Sequence, residues 1–174
     1  QLWIRIKGNG NRDLFLCSAH MPQESENKQR REEAFSELHA SVEAFLQEGE
    51  VVVLGDLNAR FGSPCSEREH KLIGRHGQHG LRTGNGGLAV NMMATLGMVS
   101  LIGQNPPPHD PRRGPSYWYT RYDKPNKTKN AIDHVLVFDA IAGLHPKFRV
   151  DYTHLCSDHH VLHTRIPCPR KIAK

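Results

Sequence analysis

The sequence predicts a single α/β domain on a mixed or antiparallel sheet, and three observations point there. Short apolar runs of strand character alternate along the chain with stretches whose apolar residues recur every three or four positions. One such stretch, KQRREEAFSELHASVEAFLQEG, leads straight into the β-branched run VVVLGD and completes a strand–helix–strand unit with the run before it. A length of 174 residues, without an internal repeat, suits one domain with a sizeable core.

The elements follow in order. Leu2 to Lys7 alternates apolar and polar side chains, as a strand does, and GNGN at 8–11 reads as a hairpin turn. Leu14, Phe15, Leu16 and Cys17 make a second strand. After Pro22 and a polar stretch, the helix puts Phe35, Leu38, Val42 and Phe45 on one stripe, with Gly49 as its expected stop. The third strand is VVVL; Gly62 to Gly87, rich in Gly and His, reads as loop. LAVNMMATLG is a short helix with Leu88, Met92 and Leu96 toward the core. MVSLI is a strand and NPPPHDPRRGP a surface loop. SYWYTRY, AIDHVLVF and HHVLHTRI supply three further strands.

Composition narrows the function classes. A net charge of +5 favours anionic partners such as nucleic acid or phosphate esters. No apolar stretch approaches the roughly 20 residues that cross a bilayer, so no membrane insertion is expected. QLWIRIKGNG reads as a strand and not as a leader, and without an initiator Met the chain is expected to be a piece of something longer. Cys17, Cys65, Cys156 and Cys168 form no C-x-x-C pair, which favours a reducing, intracellular compartment.

The chemistry gathers at strand ends. In VVVLGDLNARFG a carboxylate and an amide, Asp56 and Asn58, stand one residue apart where an apolar strand stops. A turn explains this pairing by itself, because both residues bond their own backbone. Two more acids occupy similar places: Asp133 inside AIDHVLV, and Asp158 in CSDHH just before the last strand. A carboxylate at a strand edge is costly unless paired or bound to a cation, so these acids could converge on a hard metal. His154, Cys156, His159 and His163 match no compact zinc module.

Taken together, GDLN, AIDHVLV and SDHH, in this order and at these intervals, resemble the C-terminal half of the endonuclease/exonuclease/phosphatase superfamily. The resemblance implies its four-layer α/β sandwich of the DNase I-like type. LFLCSAHMPQ is similar to the family strand that ends in Tyr or His and then Pro. HGLRTGNGGLAVNMMATLGMVSL resembles the loop and helix that follow the first acidic motif in endonucleases of non-LTR retrotransposons, the branch its loops most resemble. SYWYTRY resembles the aromatic strand before the second acidic motif.

The resemblance also implies roles. Asp56 would orient or deprotonate the attacking water, and Asn58 would hold a phosphate oxygen or assist at the metal. His159 would contact the scissile phosphate, oriented by Asp133. Asp158 would help bind Mg2+, with Mn2+ as the alternative. His20 would donate to the phosphate, while Asn85 and Trp118 would meet nucleic acid, DNA ahead of RNA. His134 and His160 are expected to be structural. The reaction would be phosphodiester hydrolysis by in-line attack, in the nucleus for a retroelement enzyme.

Complete members begin with a strand bearing an Asn and a second bearing a Glu that is a principal metal ligand; residues 1 to 19 match strands that come after both. Residues 1–174 are therefore expected to form one domain lacking its N-terminal part, with a sheet face uncovered. Two function classes follow. One is a metal-dependent nuclease, incomplete as given. The other is a catalytically inactive, domesticated remnant serving as an interaction subunit, with another protein chain completing the fold. A phosphatase or phosphodiesterase of lipids or small molecules is a third reading.

Overall fold

The computed structural model describes residues 1–8, 12–77, 80–104, 118–153 and 157–167. A five-stranded mixed sheet organises them. β1 (Leu2–Ile6) pairs antiparallel with β2 (Asp13–His20), and α1 (Lys28–Leu46) carries the chain over to β3 (Gly49–Asp56), parallel to β2. Then come α2 (Glu67–Ile73), α3 (Gly84–Leu96) and the short strand β4 (Met98–Ser100). The hairpin β5 (Arg121–Asp123) and β6 (Thr128–Asn130) precedes β7 (Asp133–Phe138), which inserts between β3 and β4, antiparallel to both. The short α4 (Asp139–Ala142) leads into a second hairpin, β8 (Lys147–Asp151) and β9 (Val161–Arg165). Sheet order is β1-β2-β3-β7-β4.

Alternation splits the sheet into two faces. Phe15, Cys17, Val51 and Val53 lie on one face, buried together with Phe35, Leu38 and Val42 of α1. Phe45 closes that layer, 4.5 Å from the Trp3 ring and 4.6 Å from Phe15. Leu16, Val52, Val135 and Val137 take the opposite face, and Phe148 and Leu162 of the β8–β9 hairpin join the same core. At β1 the opposite face carries Leu2, Ile4 and Ile6, which are 65%, 54% and 47% exposed.

Four expectations change. Gly49 does not stop α1; Gln47 does, and Gly49 opens β3 so close to β2 that a Cβ there would collide with the Asp13 carbonyl. The stretch read as loop contains α2, capped by Ser66 accepting from the Glu69 N–H, a Ser-x-x-Glu start signal. Of the described residues of SYWYTRY, only Arg121 and Tyr122 lie in a strand, β5, which pairs with β6 across the turn at 124–127; residues 118–120 precede it outside any strand. Lys147–Asp151 is a further strand, which no local sequence signal announces. Most of the GNGN turn, all of NPPPHDPRRGP, and Ser116 and Tyr117 lie outside the described residues. Among the described residues Cys17 and Cys65 are free thiols, and no helix is long and apolar enough to cross a membrane.

Candidate active site

Strand register builds the site. β3 ends at Asp56 and β7 begins at Asp133, and antiparallel pairing sets the two directly opposite each other. The parallel β2–β3 pair brings His20 alongside Asp56, 3.9 Å between Nε2 and Oδ2. Gly55 permits this close approach: its φ is 135°, and a Cβ would overlap the Ala19 carbonyl. Beyond Asp56 the chain turns through Asn58 at φ 47°, whose N–H donates to Asp56 Oδ1 at 2.8 Å. Its side-chain amide donates to the Met21 carbonyl at 2.9 Å. The turn and the site are thus one feature, since the turn is what holds the Asp56 carboxylate.

The second half of the site comes from β5 and the approach to β9. His159 Nδ1 lies 3.0 Å from each oxygen of Asp133. The Asp133 backbone is itself held: the N–H groups of Ile132 and Asp133 donate to the Oγ1 of fully buried Thr120 at 3.1 and 3.0 Å. Arg121 bridges backbone to backbone with His159, and its Nε donates to Asp158 Oδ2 at 2.7 Å.

Burial raises the Asp56 pKa above the ordinary carboxylate value, opposed by the Asn58 N–H and reinforced by the Asp133 charge. Asp158 goes the other way, held low by its hydrogen bond to Arg121. Asp56, Asp133 and His159 can each offer a ligand atom, all within 4.8 Å of one another. Two carboxylates beside an imidazole suit a divalent cation such as Mg2+ or Mn2+. Asp158, which the resemblance names as a metal ligand, is not in that group; its carboxylate faces Arg121.

The remaining expected residues fall into two sets. His20 is largely exposed, and open to a ligand. Asn85 and Trp118 are buried, at 0% and 2% exposure. Asn85 spends its amide on the Pro22 and Asn58 carbonyls and accepts from Arg31; Trp118 packs edge-on against Phe148. His134 is buried at 1% exposure, stacked on Phe61 with Nε2 2.8 Å from the Ala59 carbonyl. His160 packs edge-on against Tyr119 and Tyr152. His154 and Cys156 lie outside the described residues.

Three contributors went unread in the sequence. Thr120 and Arg121 reach Asp133 and Asp158 only because the chain folds back at DKPNK, a turn signal that was legible. Glu24 accepts from the N–H groups of Gly84 and Asn85 at the start of α3 and pairs with Arg31; nothing local announces that contact.

This chain has a DNase I-like α/β fold. Among similar solved structures is the endonuclease domain of TRAS1, a telomere-specific non-LTR retrotransposon, at 13% identity and TM-score 0.58, over 97% of this chain and 64% of that one. The 3'-5' exonuclease NExo from Neisseria meningitidis is 19% identical, with TM-score 0.61, over 94% and 64% of the two chains. The Xenopus laevis APE2 catalytic domain is 15% identical at TM-score 0.51, over 92% and 52%. The chain thus spans somewhat less than two thirds of these neighbours. No family model and no curated protein sequence matches it.

Proposed function

We propose that this chain carries the catalytic centre of a divalent-cation-dependent phosphodiester hydrolase acting on nucleic acid, of retroelement-endonuclease type, with DNA preferred to RNA. One observation carries the reading: the Asp133–His159 pair faces Asp56 across a strand register, with ligand atoms within 4.8 Å. The TRAS1 endonuclease domain and NExo, an endonuclease and an exonuclease by name, support the substrate class.

Each side chain then has a task. Asp133 accepts the Nδ1–H of His159, which fixes the tautomer and leaves Nε2 for a phosphate oxygen. Asp56, harder to ionise than an ordinary carboxylate, is suited to take a proton from the attacking water. Asn58 acts by holding Asp56, because its amide is already committed to Met21. His20 is exposed enough to donate to the substrate. Asp56 and Asp133 would hold the cation, with Asp158 joining once Arg121 releases it. A bound divalent cation supplies countercharge to the phosphate as negative charge builds up.

With three ligand groups where Mg2+ prefers an octahedron, the centre should hold its cation weakly, and cleavage by this polypeptide alone should be slow. The test is nicking of plasmid DNA with Mg2+ or Mn2+ by the purified chain, beside Asp133→Asn and His159→Ala. Slow nicking lost in both variants supports the reading; nicking that survives either substitution sinks it.

A second reading, a non-catalytic interaction subunit completed by another protein segment, is favoured by β1. Its exposed row of Leu2, Ile4 and Ile6 continues the face that Leu16 and Val52 bury. Complete absence of nicking at any cation concentration, in a chain that folds, would favour it.

A further inference from the structure

A guanidinium stands at the rim of the acidic centre, placed there by backbone pairing. The Tyr122 N–H donates to the Asp158 carbonyl at 2.8 Å, and the His160 N–H donates to the Thr120 carbonyl at 2.7 Å. Those two bonds frame Arg121 and His159 as a facing, non-hydrogen-bonded pair. Of the two kinds of facing pair in antiparallel strands this is the closer one, ~4.5 Å between Cα atoms, with both side chains on one face. Arg121 therefore projects beside the imidazole whose Nδ1 is held by Asp133.

What holds the guanidinium is easily exchanged. Its Nε donates to Asp158 Oδ2 at 2.7 Å, and both side chains reach solvent. Arg82 shows the alternative, gripping the mostly buried Glu69 through two nitrogens. A one-point pair in solvent gives up little when either partner meets a stronger counter-ion. Here both partners have one in prospect. A divalent cation between Asp56 and Asp133 would draw in Asp158, and a guanidinium fork fits the oxygens of a phosphate. The charges agree. One divalent cation and Arg121 together cancel Asp56, Asp133 and Asp158, so an arriving phosphate meets no net repulsion.

We propose that Arg121 is a phosphate ligand held in reserve: it stays on Asp158 until a divalent cation takes that carboxylate, then turns to a non-bridging oxygen of the DNA backbone next to His159. Breaking the pair is a cost that cation and DNA share. Whichever binds first releases the partner that the other needs. Each ligand therefore tightens the other, and by the same factor, as linkage requires. The cation and the substrate rest on the hydrolase reading above; the Arg121–Asp158 pair and its register beside His159 do not.

The experiment measures two affinities of the full chain carrying His159→Ala, which keeps the carboxylates and stops cutting. Mn2+ binding is followed by electron paramagnetic resonance and binding of a labelled DNA duplex by fluorescence anisotropy, each with and without the other ligand. In this background chain each ligand should tighten the other about tenfold. Adding Arg121→Ala should move the two affinities in opposite directions. Mn2+ alone should bind more tightly. Duplex at saturating Mn2+ should bind about tenfold more weakly, with a log–log salt slope flatter by about 0.9, one phosphate contact. A side chain that merely props the fold would weaken both, and Arg121→Lys should restore the slope. Asp158→Asn frees Arg121 from the start, so duplex alone should bind more tightly and the mutual tightening should shrink. Mutual tightening that persists in full in Arg121→Ala overturns the proposal, as does unchanged duplex affinity at saturating Mn2+. Thermal melts establish that the variants fold; if Arg121→Ala does not, full mutual tightening in Asp158→Asn overturns the proposal instead.

Plasmid nicking with His159 intact separates this proposal from the hydrolase reading. No nicking with Mg2+ or Mn2+, beside mutual tightening that Arg121→Ala removes, refutes the hydrolase reading and leaves the proposal standing. Nicking that Asp133→Asn abolishes, beside mutual tightening that Arg121→Ala leaves intact, refutes the proposal alone.

Discussion

His134 should make this protein's stability fall as pH drops through the histidine range. One place after Asp133 in β7, it is turned by alternation to the helix side of the sheet, where it is buried at 1% exposure. Burial pulls its pKa from 6.5 down to about 4. The unfolded chain therefore takes up a proton near pH 6.5, while the folded chain resists until about 4. With the folded value depressed, the stabilisation is fully present above 6.5, declines between 6.5 and 4, and is gone below. The gap of about 2.5 units, at 1.36 kcal/mol each, amounts to about 3 kcal/mol. Urea unfolding near pH 7 and near pH 4, for the parent and for His134→Leu, reads this directly. The leucine variant loses the bond to the Ala59 carbonyl, about 1 kcal/mol, at both pH values. Its drop between the two pH values should be smaller than the parent's by about 3 kcal/mol. Equal drops would refute the reasoning. The outcome also bears on the site, because His134 ties the loop holding Asn58 to the strand that begins with Asp133.

Three further outcomes are expected. Thr120→Val keeps the volume but leaves the N–H groups of Ile132 and Asp133 without their acceptor, so chemical denaturation should show a loss of about 1–3 kcal/mol and nicking should fall with it. Arg121→Ala should leave stability within about 0.5 kcal/mol, its pair with Asp158 being exposed, yet tighten Mn2+ binding followed by electron paramagnetic resonance, because Asp158 is then free to ligate. Glu69→Gln should lower the melting temperature by an amount equivalent to about 1.5–3 kcal/mol, since Arg82 grips that carboxylate through two nitrogens and holds its pKa near 2; the parent's advantage should persist above pH 4.5 and vanish toward pH 2.

Local pattern made part of this structure legible. The stripe of Phe35, Leu38 and Val42 and the run VVVL announced α1 and β3, because burial on one helix face or in a central strand writes itself into residue spacing. Asp56, Asp133 and His159 were legible through their motifs, and register then brought them together. The failures have physical causes. Lys147–Asp151 alternates apolar with charged residues over only five positions, and its partner β9 lies ten residues further on, so nothing local distinguishes it from loop. The partners of Asn85 were not legible either: Arg31, Pro22 and Asn58, from 27 to 63 positions away, take its amide. A short polar side chain reads the same in sequence whether it meets solvent, ligand or backbone. Only the tertiary contacts decide.

On the function proposed above, the geometry at Asp133 would let one carboxylate serve both the imidazole and a cation. Both of its oxygens lie 3.0 Å from His159 Nδ1, so the ring is held by either one. Giving one oxygen to a cation leaves the other still accepting the Nδ1–H, and the tautomer that leaves Nε2 for the phosphate survives. Asp56 is placed differently: Oδ1 is tied to the Asn58 N–H, and Oδ2 is the oxygen nearer His20. The two acids face each other in register, one anchored through the Thr120 hydroxyl and one through its own turn. Their mutual repulsion helps keep Asp56 basic and gives a cation a reason to sit between them. Asp158 lies outside this balance for as long as Arg121 neutralises it, so on the proposed function the Arg121–Asp158 contact would set how many carboxylates the centre can offer.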